Sequence, residues 1–288
     1  MKSHRLTVLK TLQYAAAVAS FHLLFTAVSE AQQVLPPIVL LGEVHDNESQ
    51  HAMRAASFKS FLETGSRPAL LMEQFDREDQ PKIDRAIAAA AGLPAGTAAT
   101  QIIAAITDAK KGSGSWNWAF YQPFLMLALD YQLPIIAANV SRSDTRLIYS
   151  QGLAANGFNA QVPEDIQTLQ TRVIHESHCG MINLEQAGRM AASQVARDQW
   201  MARQIEMYSS RGVVLLAGNG HVRKDVGVPR WLSEPVRQRA QAIGFLERDT
   251  VPNSSEAAVD LTQFDKVRYT AIAQREDPCA KFGKPLAK

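Results

Sequence analysis

Apolar residues gather in this chain as short unbroken runs separated by longer amphipathic stretches. The runs are Ile38-Val39-Leu40-Leu41, Ala69-Leu70-Leu71-Met72, Ile135-Ile136-Ala137-Ala138 and Val213-Val214-Leu215-Leu216-Ala217. Four or five apolar residues bounded by turn formers read as a strand buried on both faces, the habit of strands in a parallel sheet. Strands are therefore expected over 37–41, 69–72, 134–138 and 213–217, with two more in the tail over 242–246 and 267–273. Between them the helical period takes over. One helix follows a cap at Asp46 or Asn47 and runs to about residue 63, with Ala52, Ala55, Ala56, Phe58 and Phe61 as candidates for burial. An alanine-rich helical stretch over 79–111 is broken at Gly92-Leu93-Pro94-Ala95-Gly96, and a further helix leads to about residue 131. Helix signals recur over 141–150 and 163–175, and a long helix over 184–208 is capped by Asn183. Alternating strands and helices predict an α/β fold with a mostly parallel sheet flanked by helices. The stretch over about 75–131 is too long for a simple crossover and reads as a helical insertion or lid.

The chemistry sits where the runs end. Gly42-Glu43-Val44-His45 closes the first run and Gly218-Asn219-Gly220-His221 closes the fourth, so Gly-x-x-His occurs twice. Ligands bind outside the carboxyl ends of strands in open parallel sheets, which would bring two histidines and a glutamate into one crevice. Glu73 ends the second run in the same way, and Asn139 ends the third. Glu43, His45, Glu73 and His221 are ligand types for Zn²⁺, Mn²⁺ or Fe²⁺, and serve equally as acid–base groups. On the 184–208 helix, Ala187, Ala191, Gln194, Asp198, Met201, Ile205 and Tyr208 share one face, with Gln194 and Asp198 as polar interruptions that need buried partners. His175 and His178 are spaced like ligands but flank Cys179 in a loop, which favours a structural role. His51 reads as surface. The aromatic cluster Trp116, Trp118, Phe120, Tyr121 and Phe124 reads as core or as a platform for a flat apolar ligand. A phosphate-cradling glycine loop and a Gly-x-Ser-x-Gly elbow are both missing from the sequence.

Composition narrows the partners. Lys2, Arg5 and Lys10 precede an apolar stretch over 12–28, and Ser29-Glu30-Ala31 offers a cleavage site. This predicts a signal peptide over 1–31 and a mature domain over 32–288. With no cysteine near that site, the mature protein is expected in the periplasm without a lipid anchor. The whole chain carries a formal charge of +2; removing 1–31 takes three cations and one anion, leaving it neutral. A neutral chain has no field to attract nucleic acid. Cys179 and Cys279 are its two cysteines, and an even pair in an exported chain predicts a disulfide.

Several of these segments together carry a family resemblance. Leu40-Leu41-Gly42-Glu43-Val44-His45-Asp46, Glu73, Trp116-Asn117-Trp118-Ala119-Phe120-Tyr121, Ala137-Ala138-Asn139-Val140, Arg197-Asp198 and Ala217-Gly218-Asn219-Gly220-His221 with Gly227-Val228-Pro229 resemble the ChaN-like haem-binding protein family. The resemblance implies an exported haem-binding protein of iron acquisition, partnered by an outer-membrane haem receptor or a haem transport system. It also implies a tyrosine as iron ligand, and haem between protomers of a homodimer. Tyr121, set among Trp116, Trp118 and Phe124, is the expected ligand, with Asn139, Gln194 and Asp198 as polar support. A wider group with the paired motif, Tiki- and TraB-type proteins and erythromycin esterase-like enzymes, implies the alternative of a divalent-metal-dependent hydrolase. There Glu43, His45, Glu73 and His221 would be catalytic or metal-binding.

Overall fold

Strand registers explain how distant segments meet in this protein. A computed structural model describes residues 37–107, 116–249, 262–277 and 279–280; the expected signal peptide lies outside them. Among the described residues there are six strands, β1 (Ile38–Leu41), β2 (Ala69–Asp76), β3 (Ile135–Asn139), β4 (Val213–Leu216), β5 (Ala240–Glu247) and β6 (Lys266–Thr270). They form one sheet in the order β3-β2-β4-β1-β5-β6, and every pairing is parallel. Leu41 pairs with Leu216, and Leu216 pairs with Met72. The residues that follow, Gly42, Ala217 and Glu73, therefore lie at one level.

Alternation along each strand sends residues to two faces. Leu41, Leu70, Met72, Leu216 and Phe245 point to one face and pack with Phe58, Ile102, Tyr121 and Phe124. These come from α1 (Glu48–Glu63), α3 (Ala95–Thr107) and α4 (Trp118–Asp130), and α2 (Gln80–Ala89) adds Ile83. Ile38, Leu40, Leu71, Val213 and Leu215 point the other way, onto Met201, Ala202 and Ile205 of α7 (Leu184–Tyr208). Beside α7 lie α5 (Arg142–Gln151) and α6 (Glu164–Ser177), and two single-turn helices, α8 (Asn219–Val222) and α9 (Glu234–Arg237), follow β4. Pro123 sits inside α4, five residues past its first, where it forfeits one helical amide bond.

Differences from the expected elements have local causes. β2 continues past Met72 to Asp76, with Glu73 accepting from the Gly218 amide at the sheet end and Phe75 entering the core. On α1, Ala52 and Ala56 are exposed and Ala55 and Phe61 only half-buried, while Gln50, His51, Arg54, Phe58 and Leu62 are buried. The inward face of this helix is polar in its first turns, so a search for apolar periodicity sets its phase wrongly. Asn47 caps the helix, accepting from the Gln50 amide at 3.1 Å.

Cys179 and Cys279 are bonded, with Cα atoms 5.6 Å apart across a separation of 100 residues. The bridge fastens the C-terminal tail to the α6–α7 loop, where Cys179 takes a positive φ of 60°. Thiol labelling of denatured, unreduced protein should find almost no free cysteine; two labelled residues would contradict the bridge.

Candidate functional site

The two Gly-x-x-His motifs interlock through their glycines. A Cβ on Gly42 would sit 2.2 Å from the Asn219 side-chain oxygen, and one on Gly218 would sit 3.0 Å from the His45 ring. Each motif thus occupies the space left by the other's glycine. Asn219 is held firmly: its amide donates to the Glu43 carbonyl at 3.0 Å. Its side chain also brackets Phe245, donating to the carbonyl at 2.5 Å and accepting from the amide at 3.1 Å. Because Asn219 cannot give way without releasing β5, Gly42→Ala should cost about 1–3 kcal/mol by overpacking. Urea unfolding would measure it, and an unchanged midpoint would show that Asn219 has another place to go.

Glu43 is the centre of the first half of the site. It is buried and accepts from the Tyr121 hydroxyl at 2.5 Å, from His45 Nδ1 at 2.7 Å and from the Arg54 guanidinium. Arg54, itself fully buried, also donates to the Leu41 carbonyl at 3.0 Å. Burial lowers the Arg54 pKa to about 9, which still leaves it charged at neutral pH opposite the carboxylate. His51 is not a surface residue: it is buried, bonds the His45 carbonyl at 3.1 Å and stacks on Phe120. Burial lowers its pKa, which favours the neutral ring. Arg54 and Gln50 were not legible as site residues from apolar periodicity. Their signal is the spacing Gln50, Arg54, Phe58, Leu62, four apart along one helix face.

Tyr121 therefore forms part of the wall. It is 0% exposed, with Trp116 and Trp118 edge-on to its ring, and Phe124 is likewise buried. Burial raises its pKa well above the ordinary value, the reverse of what a phenolate ligand needs. In this structure the oxygen of Tyr121, the ligand expected from the sequence, is sealed in the core against Glu43. Tyr121→Phe should lower stability by about 1–3 kcal/mol, the cost of a buried carboxylate losing a donor.

The second half is a chain of charges. The Gly218 amide donates to Glu73 Oε2 at 2.8 Å, Glu73 Oε1 lies 3.5 Å from His221 Nε2, and His221 Nδ1 bonds Asp198 Oδ1 at 2.6 Å. Burial works to raise the Glu73 carboxyl, but His221, His45 and the Gly218 amide outweigh it and hold it below its usual value. Burial works to lower His221, but Asp198 and Glu73 outweigh it and hold the imidazole above 6.5. Asp198 is pushed up from 3.8 to about 6 by burial. The Asp198–His221 pair holds protons more tightly folded than unfolded. Its stabilising effect is complete below the unfolded values and is lost as pH rises through the folded ones. Glu73 acts oppositely, its contribution fading as pH falls below about 4.5. The melting temperature should therefore fall as pH rises above about 6, and His221→Gln should flatten that slope. A wild-type slope identical to the variant's would refute the assignment.

Among the described residues, no group of three or more His, Cys, Asp and Glu is arranged to hold a metal ion. The expected divalent-metal set of Glu43, His45, Glu73 and His221 is thus not formed as such a group. These side chains do gather at the strand ends, but Glu43 spends its lone pairs on Arg54, Tyr121 and His45, and His221 is turned to two carboxylates. Asn139 stands apart, strutting β2 against β3 through Asp76 at 3.1 Å. Gln194 is half-buried and accepts from Arg197 at 3.3 Å. His175 and His178 bond the carbonyls of Ile182 and Ile174, each at 2.8 Å. Beside the cluster, a groove of about 560 Å³ opens between α5, α6 and α7, with Arg197, Gln194 and Tyr149 in its lining.

Comparison with known proteins places this geometry. The chain is similar over its fold to a solved structure described as "Cofacial heme binding to ChaN of Campylobacter jejuni", at 20% identity and a TM-score of 0.59, covering 80% of this chain and 86% of that one. Weaker likenesses are to the erythromycin esterase mutant EreC H289N in its open conformation (15% identity, TM-score 0.43, covering 86% and 79%) and to the type III effector HopBA1 (13%, 0.44, 82% and 88%). No curated protein sequence matches the chain. The model of the family described as "Haem-binding uptake, Tiki superfamily, ChaN" matches residues 31–232, and with the same α/β sheet beneath its paired motifs the chain belongs to that family.

Proposed function

We propose that this chain is an exported, periplasmic haem-binding protein of haem or iron uptake or trafficking, and that haem is its cargo. The observation that carries the reading is the placement of Tyr149. It is half-buried in the α5–α6–α7 groove, and its hydroxyl has no hydrogen-bond partner among the described residues. A phenolic oxygen free to meet ferric iron above an apolar floor suits haem ligation. The groove's floor includes Ile174, Ile182 and Met190, and its volume falls in the range of ligand sites. Tyr149 thus replaces Tyr121 as the proposed ligand, while the strand-end cluster organises the wall behind it. Binding of haem between protomers of a homodimer, and its passage to or from an outer-membrane haem receptor or haem transport system, belong to the same proposal.

Titrating the purified protein with haemin tests it. The expected result is a saturable Soret band with a tyrosinate-type spectrum, lost in Tyr149→Phe and retained in Tyr121→Phe. Loss in Tyr121→Phe alone would overturn the ligand assignment, and no wild-type Soret band would overturn haem binding. Fractionation and N-terminal sequencing test the location: the mature chain should begin at Gln32.

A further inference from the structure

The groove carries more information than a place for a phenol. Arg142 and Arg146 stand four residues apart on α5, so they share a helix face, and both line the groove. Both are exposed, and neither guanidinium has an acidic partner among the described residues. Most other cations near them are spoken for: Arg77 pairs with Asp144 at 2.8 Å, and Arg189 lies over the Tyr149 ring at 5.1 Å. Across the groove, Arg197 presents a third guanidinium from α7, its Nε buried without a hydrogen-bond partner. No carboxylate lines the cavity, whereas its floor is apolar at Ile174 and Met190.

This arrangement is the complement of a flat apolar body with anionic groups on its edge. Arginine binds carboxylates through two parallel N–H donors, which fixes orientation as well as charge. Resting on the haem reading above, we propose that Arg142 and Arg146 form a carboxylate clamp that makes this groove select planar dicarboxylates over the same macrocycle without charge. Tyr149, one turn further along α5, then faces the centre of the body whose edge the arginines hold. The clamp sits at the groove mouth, and its charge also speeds capture of an anion.

Binding of haemin and of haemin dimethyl ester tests the clamp, read by the Soret band and by quenching of tryptophan fluorescence. The ester keeps the ring and the iron and removes both negative charges. Wild-type protein should bind haemin at least about tenfold more tightly than the ester, the worth of one charge-assisted contact. The variant Arg142→Gln/Arg146→Gln should bind haemin about tenfold to a hundredfold more weakly, bind the ester as before, and melt at the wild-type temperature. Equal wild-type affinity for the two ligands, or unchanged haemin affinity in the variant, would overturn the clamp while leaving haem binding intact. Failure of wild-type protein to take up either ligand would overturn the haem reading and the clamp with it.

Discussion

Cys179→Ser/Cys279→Ser should lower the free energy of unfolding by about 4–5 kcal/mol, the loop-entropy value for a closed segment of this size. The bond joins residues 100 apart, and the loop it closes contains α7, β4 and β5. In the unfolded chain it keeps the segment that bears His221 near the tail that must return to the sheet edge. A domain is stable by only about 5–15 kcal/mol, so this contribution is a large part of the whole. Urea unfolding of oxidised wild-type protein against the double variant measures it. Coincident midpoints would mean that strain in the native loop cancels the entropic gain. Because His178 precedes Cys179 and lines the groove, the variant should also bind haemin more weakly.

Arg54→Ala should cost about 3–5 kcal/mol, the range for removing one partner of a buried ion pair. Both Arg54 and the Glu43 side chain are 0% exposed. Without the guanidinium, the Glu43 carboxylate keeps the Tyr121 and His45 donors but loses its counter-ion and cannot reach water. The Leu41 carbonyl loses a donor as well, and Phe124 loses the cation lying 5.5 Å from its ring centre. Removing the charge from both partners should cost less than the sum of the single changes, since the residues share one network. The cycle Arg54→Ala, Glu43→Gln and the double variant reads this directly. Additive losses would mean that the pair is not coupled.

The legibility of the site was uneven, and the residues show why. Glu43, His45, Glu73 and His221 stand out because each follows an apolar run, and buried strands announce themselves by composition alone. Arg54 does not, because a lone arginine on a helix ordinarily faces water and only its position over the strand ends makes it part of the site. His51 was hidden for the same reason. Tyr121 was misleading in the opposite sense: an aromatic neighbourhood in sequence looks like a ligand platform, but aromatic side chains bury best in a core. Tyr149 lacks such neighbours and lines a groove that exists only once α5, α6 and α7 have packed together.

The sequence by itself determined the four buried strands, the interruption between β2 and β3 by helices and the pairing of glycine with histidine at two strand ends. These depend on periodicity and turn chemistry within a few residues. Only the tertiary structure decided that Gly42 makes room for Asn219 and Gly218 for His45, because that exchange requires β1 and β4 to lie side by side in register. It alone decided that Glu43 answers to Arg54 and Tyr121, since three segments must converge before a carboxylate's lone pairs are assigned. It also decided which tyrosine is sealed and which is open, because burial depends on what packs above a side chain, and that comes from elsewhere in the chain.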